Sequence, residues 1–390
     1  MPALLGGTGI IGKDIFVKMK AQKSASIHTA SGTAVTFPQA EERAFSGLSI
    51  YGYSTQDGTP SPENPVPIVS AGDSGEINVA VSGKNLIPFP YLSPLGGAGT
   101  VYEADGVTYT VQADGGIKCV GTPTSIFGPT LCRIRFSEES LNTSGSATNG
   151  KVTLSGGPLY FDSNNNATFI YWDNQIDTPV DMTIYPQVEY GTVATAYEPY
   201  KTPQTLTLST PGGLPGIPVT SGGNYTDENG QQWVCDEIDL KRGKYIQRVG
   251  SVLADGTVNK FTASADNVFW NLNTDHTAPG VISGQWYLSI YFSKYFFNAN
   301  EPGEFIYVMS EKGQEYFDTI EDLNAFCVEK NAEGNPLIIY YPMDPIETDL
   351  PAEEIAAYKA LRTYSPTTTV SNDAEACMKV EYNEFNKQTF

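Results

Sequence analysis

The sequence predicts a mainly β protein: a jelly-roll or β-sandwich module inserted in a β framework, followed by a small α+β C-terminal region. Three observations predict it. Charged residues make up only 17% of the chain, while Gly (38), Pro (26), Tyr (23) and Phe (18) are abundant. Turn formers combined with aromatics favour many short strands, the reverse of a disordered composition. Short alternating stretches recur between turn signals, and the first strong helical pattern comes only at Thr319.

At 390 residues the chain is long enough for about two or three domains with real cores. Residues 1–43 read as an N-terminal arm and attachment segment. Within it, Gly7-Thr8-Gly9-Ile10-Ile11-Gly12 matches GxGxxG and nearly fits a phosphate loop. Both motifs need a strand feeding the turn, and only six residues precede Gly7. Asp14 stands where a magnesium-binding hydroxyl belongs. No nucleotide cofactor is expected.

Residues 44–83 supply framework strands on either side of a proline-rich stretch. Leu48–Ser70 starts as a strand and then carries prolines at 60, 62, 65 and 67. Proline fixes φ and removes a donor, so Thr59–Pro67 reads as a stiff extended connector. Glu76–Ser82 alternates as a half-buried strand.

Residues 84–200 read as a separate β module. Strands are expected at Gly106–Val111, Gly116–Val120, Leu131–Phe136, Lys151–Leu154, Leu159–Asp162, Ala167–Trp172 and Met182–Glu189. Residues 201–258 return to the framework, with a strand at Thr205–Ser209, a hairpin around Asp227-Glu228-Asn229-Gly230 and a strand at Lys244–Val249.

Residues 259–390 form the α+β region. Gln285–Ser293 is expected as a strand, with Trp286, Leu288, Ile290 and Phe292 inward and Tyr287, Ser289, Tyr291 and Ser293 wet. Thr319 and Asp322 predict a capping box for a helix to Lys330. Leu337–Tyr341 reads as a buried strand, and Pro351 fits the first position of a second helix. Thr367–Val370 and Met378–Tyr382 close the chain as strands.

The formal net charge is −21, from 23 Lys plus Arg and 44 Asp plus Glu. Long-range repulsion then disfavours nucleic acid and anionic membranes as partners and leaves sugars or proteins. There is no apolar run of about 20 residues and no basic n-region ahead of the first apolar residues, so neither membrane insertion nor ordinary secretion is expected. Cys119, Cys132, Cys235, Cys327 and Cys377 are scattered without metal-like spacing. They read as free buried thiols, with a Cys119–Cys132 bridge as the alternative.

Three ordered blocks stand out: IYGYSTQDGTPSPENPVPIVSAG (Ile50–Gly72), SGKNLIPFPY (Ser82–Tyr91) and YPQVEYGTVATAYEPY (Tyr185–Tyr200). They resemble stretches of tail and baseplate minor structural proteins of phages infecting Gram-positive bacteria. Tyr225–Gly250 and Ile338–Asp373 are similar. The resemblance covers most of the chain from about residue 44. It implies a carbohydrate-binding-like jelly roll between NLIP and YEPY, a non-enzymatic virion protein, and assembly in the host cytoplasm with release by lysis. It also implies a homotrimer bound to other virion proteins and to host-surface polysaccharide; residues 1–43, which the resemblance does not cover, are read from their own glycine-rich sequence as the arm that docks on a virion partner. A purely architectural virion role is the alternative.

The candidate glycan-binding residues are Tyr160, Tyr171, Trp172, Asp173 and Asn174, because pyranose faces stack on aromatic rings while amides and carboxylates take hydroxyls. In Ala167–Trp172 one of Tyr171 and Trp172 must face the core; taken singly, each aromatic reads more readily as core. Asp236, Glu237 and Asp239 are the densest acids, but neighbours in a strand face opposite ways. They read as a solvated edge rather than a hydrolytic pair. His28 and His276 read as surface residues without a nucleophile partner. Asp162–Asp173 lacks the glycine and glutamate of a calcium loop and reads as a polar turn. No catalytic residue, metal or cofactor is expected.

Overall fold

In a computed structural model, the described residues are 20–27, 35–38, 41–133, 152–162, 167–172, 175–191, 193–227, 229–263, 270–273, 288–292, 296–301, 304–308, 317–374 and 376–385. The fold is mainly β, with several antiparallel sheets and, among the described residues, two helices.

The framework is built on alternation. Phe45–Tyr51 points Leu48 and Ile50 inward; Glu76–Ser82 does the same with Ile77, Val79 and Val81. The first strand lies within a seven-stranded sheet ordered Lys20–Ile27, Cys377–Phe385, Phe45–Tyr51, Glu237–Asp239, Lys244–Ala254, Leu337–Asp349, Leu288–Ser289. The second lies in a four-stranded sheet ordered Gln204–Ser209, Glu76–Ser82, Thr367–Asn372, Val35–Pro38. Register sets Leu48 against Val380, Ile50 against Met378, Ile77 against Leu208 and Val79 against Leu206. These residues share one core. Each such side chain, fully buried, contributes roughly 1.5–3 kcal/mol relative to exposure.

The chain leaves this framework after Ser82 and comes back at Gln204, so the two strands flanking the departure pair directly. Between them lie three small sheets. One is ordered Val180–Ile184, Ile117–Gly121, Val107–Val111, Val101–Ala104; another Phe127–Arg133, Ala167–Tyr171, Leu159–Asp162; the third pairs Val152–Ser155 with Gln187–Tyr190. All three enclose one core that includes Tyr109, Ile117, Leu131, Phe161, Ile170, Trp172 and Val188. Met182–Glu189, expected as one strand, is two. The chain breaks at Tyr185-Pro186, because proline cannot donate to a ladder, and the halves join different sheets.

A polar clasp closes the module where it meets the framework. The Lys84 ammonium, on a residue only 7% exposed, pairs with Glu198 at 3.1 Å and donates to Thr195 Oγ1 at 2.8 Å and to the Ala196 carbonyl. Glu198 also accepts from Thr367 Oγ1 at 2.7 Å, reaching the framework sheet. Behind this pair, Glu189 accepts from Thr195 N, Thr195 Oγ1 and Gln187 Nε2, while Asn85 bridges Pro186 O and the Ile87 and Val188 amides.

The proline-rich stretch departs from the connector reading. Ser54–Thr55 pairs with Val69–Ser70, so residues 56–68 form a loop closed at its neck. Gln56 Nε2 donates to Val66 O and Ser289 O, and Val66 N donates to Ile290 O, docking the loop on the C-terminal region. At its base Gly52 crosses the returning chain. A Cβ on Gly52 would lie 2.2 Å from Leu214 O, which only glycine permits.

In the C-terminal region helix α1, Ile320–Ala332, opens with the Thr319–Asp322 capping box and buries Leu323 and Cys327. Helix α2, Ala352–Ala360, has Pro351 as its N-cap rather than its first turn. The expected Gln285–Ser293 alternation fails. Among the described residues only Leu288–Ser289 pairs as strand, Ser289 is sealed, and Tyr291 and Phe292 are both buried. The chain bends off the ladder after Ser289 and runs beneath α1, where consecutive side chains meet the same core; Tyr291 stacks edge-on against Phe326 and donates to Asn335 O at 2.7 Å. All five cysteines are buried thiols, and none is in a disulfide.

Removing one partner of a buried ion pair leaves an uncompensated charge, at about 3–5 kcal/mol. Lys84→Met is therefore expected to destabilise the chain by about 3 kcal/mol in urea denaturation. Lys84→Met combined with Glu198→Gln should recover most of that loss; a double variant as unstable as the single one would remove the ion pair from its place in the stem.

Candidate functional site

The Ala167–Tyr171 strand continues into Trp172, and its alternation decides which aromatics are available. Thr168, Ile170 and Trp172 point inward and are at most 1% exposed, so Phe169 and Tyr171 point outward. On the neighbouring Leu159–Asp162 strand Phe161 is buried and Tyr160 is outward. Register places Tyr160 opposite Phe169 on one side and Phe127 opposite Tyr171 on the other.

The result is a four-ring face. Ring centroids lie 5.0 Å apart for Phe127–Phe169, 5.6 Å for Phe127–Tyr171, 5.1 Å for Tyr160–Phe169 and 5.4 Å for Tyr160–Tyr171. Phe127 is 45% exposed and the other three are half-buried. Such cross-strand rings hold one another in place, leaving a preformed apolar surface on which flat ligands can stack.

Of the five residues proposed from sequence, Tyr160 and Tyr171 lie on this face. Trp172 does not. It is 1% exposed in the module core, and its Nε1 donates to the Tyr109 hydroxyl at 3.2 Å. Burial pushes the Tyr109 phenol up to about 12, so it stays protonated at neutral pH. Asp173 and Asn174 lie outside the described residues. Sequence reasoning missed Phe169, although it has the same parity as Tyr171. It also missed Phe127, which reaches the face only through long-range pairing in a strand with two register shifts.

The acid group at 236–239 is not a solvated edge. Asp236 is 1% exposed and Glu237 8%, because the Glu237–Asp239 strand is covered by a neighbour on each side. Asp236 Oδ1 accepts from the Arg248 and Val249 amides at 2.7 and 2.8 Å, and its Oδ2 from Tyr245 at 2.5 Å. Glu237 pairs with Arg248 at 3.0 Å. Burial pushes the Asp236 carboxyl up to about 6, outweighing those three hydrogen bonds.

The glycine motif at 7–12, His28 and His276 lie outside the described residues, as do residues 163–166 of the polar turn. Among the described residues no group of three or more His, Cys, Asp or Glu is placed to hold a metal ion, and no helix is long and apolar enough to cross a membrane. No protein-family model, curated protein or solved structure matches the chain.

A carboxyl whose folded pKa lies above its unfolded value favours the folded state while protonated; that benefit is lost as pH rises through the folded pKa. For Asp236 the window runs from 3.8 to about 6, and holding the charged form at pH 7 costs about 3 kcal/mol. Asp236→Asn keeps an acceptor for the two amides. Its stability relative to the unsubstituted chain should therefore climb between pH 4 and 7 by about 3 kcal/mol in paired denaturant titrations. A flat difference would mean that Asp236 titrates normally.

Proposed function

We propose that the chain is a phage virion structural protein of the tail or baseplate periphery, whose 84–200 module adheres to host-surface polysaccharide. The adhesion half rests on one observation: Phe127, Tyr160, Phe169 and Tyr171 form a preorganised aromatic face on the outside of a small sheet. Pyranose rings present an apolar C–H face to such rings, and rigid aromatics lose little entropy on binding. The virion half rests on the ordered blocks from Ile50 to Asp373 that resemble phage tail and baseplate proteins. The same resemblance supports a homotrimer and a non-catalytic role, while attachment through residues 1–43 rests on their reading as a glycine-rich arm.

A second reading draws on the apolar make-up of that face. As an architectural component, the chain would pack the four rings against a neighbouring virion protein. Such apolar patches mark protein contacts as readily as ligand sites.

Binding of the full chain to host cell walls and a glycan array separates the two. Adhesion predicts saturable binding that falls about tenfold in Phe127→Ala and in Tyr160→Ala, without a change in melting temperature. No glycan binding, together with tight binding to a purified virion protein that the same variants weaken, would establish the architectural role instead.

A further inference from the structure

A cavity of about 450 Å3 lies in the framework, away from the aromatic face. Its walls come from the 209–215 turn of the returning chain, the Lys244–Ala254 strand where its register shifts between Gln247 and Val249, the Leu337–Asp349 strand that pairs with it, the start of α2, and Asp236. The ladder between the two strands is interrupted at that shift. A volume of this size falls within the usual range for small-ligand sites.

The lining has a consistent chemistry. Asp236, Glu354, Tyr245, Gln247, Ser251 and Tyr340 supply carboxylates, phenols, an amide and a hydroxyl, and no Lys, Arg or His lines the space. Asp349 is also there, already neutralised by Lys244 at 2.8 Å. Asp236 is saturated by its two amides and Tyr245. Glu354 is different. It is 93% buried by the measure of its 7% exposure, and Oε1 accepts from Ser209 N at 2.9 Å, but no donor among the described residues reaches its second oxygen. That second oxygen is not among the sealed, unpartnered atoms and so stays open to the cavity, where a cation supplied by a ligand would give it a charge-assisted partner. An anionic ligand would meet two carboxylates and no compensating cation.

We propose that this cavity binds a small amine-bearing polyol of the amino-sugar class. The ligand's ammonium sits on the free oxygen of Glu354, and its hydroxyls exchange hydrogen bonds with Gln247, Ser251 and Tyr340. Asp236 adds a fixed negative field without direct contact.

Calorimetric titration of the full chain tests this, with glucosamine as the probe and glucose and N-acetylglucosamine as neutral controls. Saturable glucosamine binding is expected below about 10 mM, with each neutral sugar weaker by about tenfold. Glu354→Gln keeps the acceptor for Ser209 N and should erase that preference. Ser251→Trp, at an exposed strand position, should block the cavity while the fold persists. The amine preference over the two neutral sugars should persist in Tyr160→Ala, where the aromatic face is weakened, which separates this site from that face. Absence of glucosamine binding, equal binding of all three sugars, or loss in Tyr160→Ala with retention in Ser251→Trp would each overturn the proposal.

Discussion

The Lys84–Glu198 pair is the constraint on which the two-part architecture depends. Taking two ions out of water costs several kcal/mol each, and attraction between them offsets that only when the remaining hydrogen-bonding capacity is filled. Here it is filled. An ammonium has three donors, and Lys84 spends them on Glu198, Thr195 and Ala196. Glu198 takes a further bond from Thr367, which belongs to the framework sheet rather than the module. The pair therefore ties the start of the module, its end and the framework at one point. Apolar packing could have joined them, but with less demand for a single arrangement, because a half-satisfied polar network is costly in every alternative geometry.

That placement groups the sequence blocks on which the virion proposal rests. Ser82–Tyr91 contains Lys84 and Asn85; Tyr185–Tyr200 contains Gln187, Glu189, Thr195 and Glu198. These are the clasp residues. The remaining blocks fall in the framework, the docked proline loop and α2. None contains Phe127, Tyr160, Phe169 or Tyr171. The proposed virion role therefore rests on blocks of the scaffold and of the clasp, while the proposed ligand preference is argued from the aromatic face itself.

Legibility from sequence followed the range of the interactions. Where alternation alone decides, as in Glu76–Ser82, the strand and its buried face were readable, and the Thr319–Asp322 capping box located α1 because both partners are local. Reading failed where distant chain decides. Asp236 and Glu237 look like a wet edge until the Phe45–Tyr51 and Lys244–Ala254 strands close on either side. Tyr291 and Phe292 are buried together because the chain leaves its ladder, which no period of two can show. At the aromatic face, parity allowed either Tyr171 or Trp172 outward. The hydrogen bond from Trp172 to Tyr109, made across the core from another sheet, resolves that choice.

Electrostatics then divides the two candidate surfaces by ligand type. A net charge of −21 repels polyanions at long range, but salt screens that field beyond about 10 Å, so selection among neutral and cationic ligands rests on contact. The aromatic face offers rings with hydroxyl edges, suited to neutral sugars. The framework cavity offers a carboxylate oxygen lacking a donor and no cation of its own. A polymer whose sugars differ in amine substitution would present both chemistries. Stacking would hold its neutral residues on the module, and an amine-bearing residue would suit the acidic cavity.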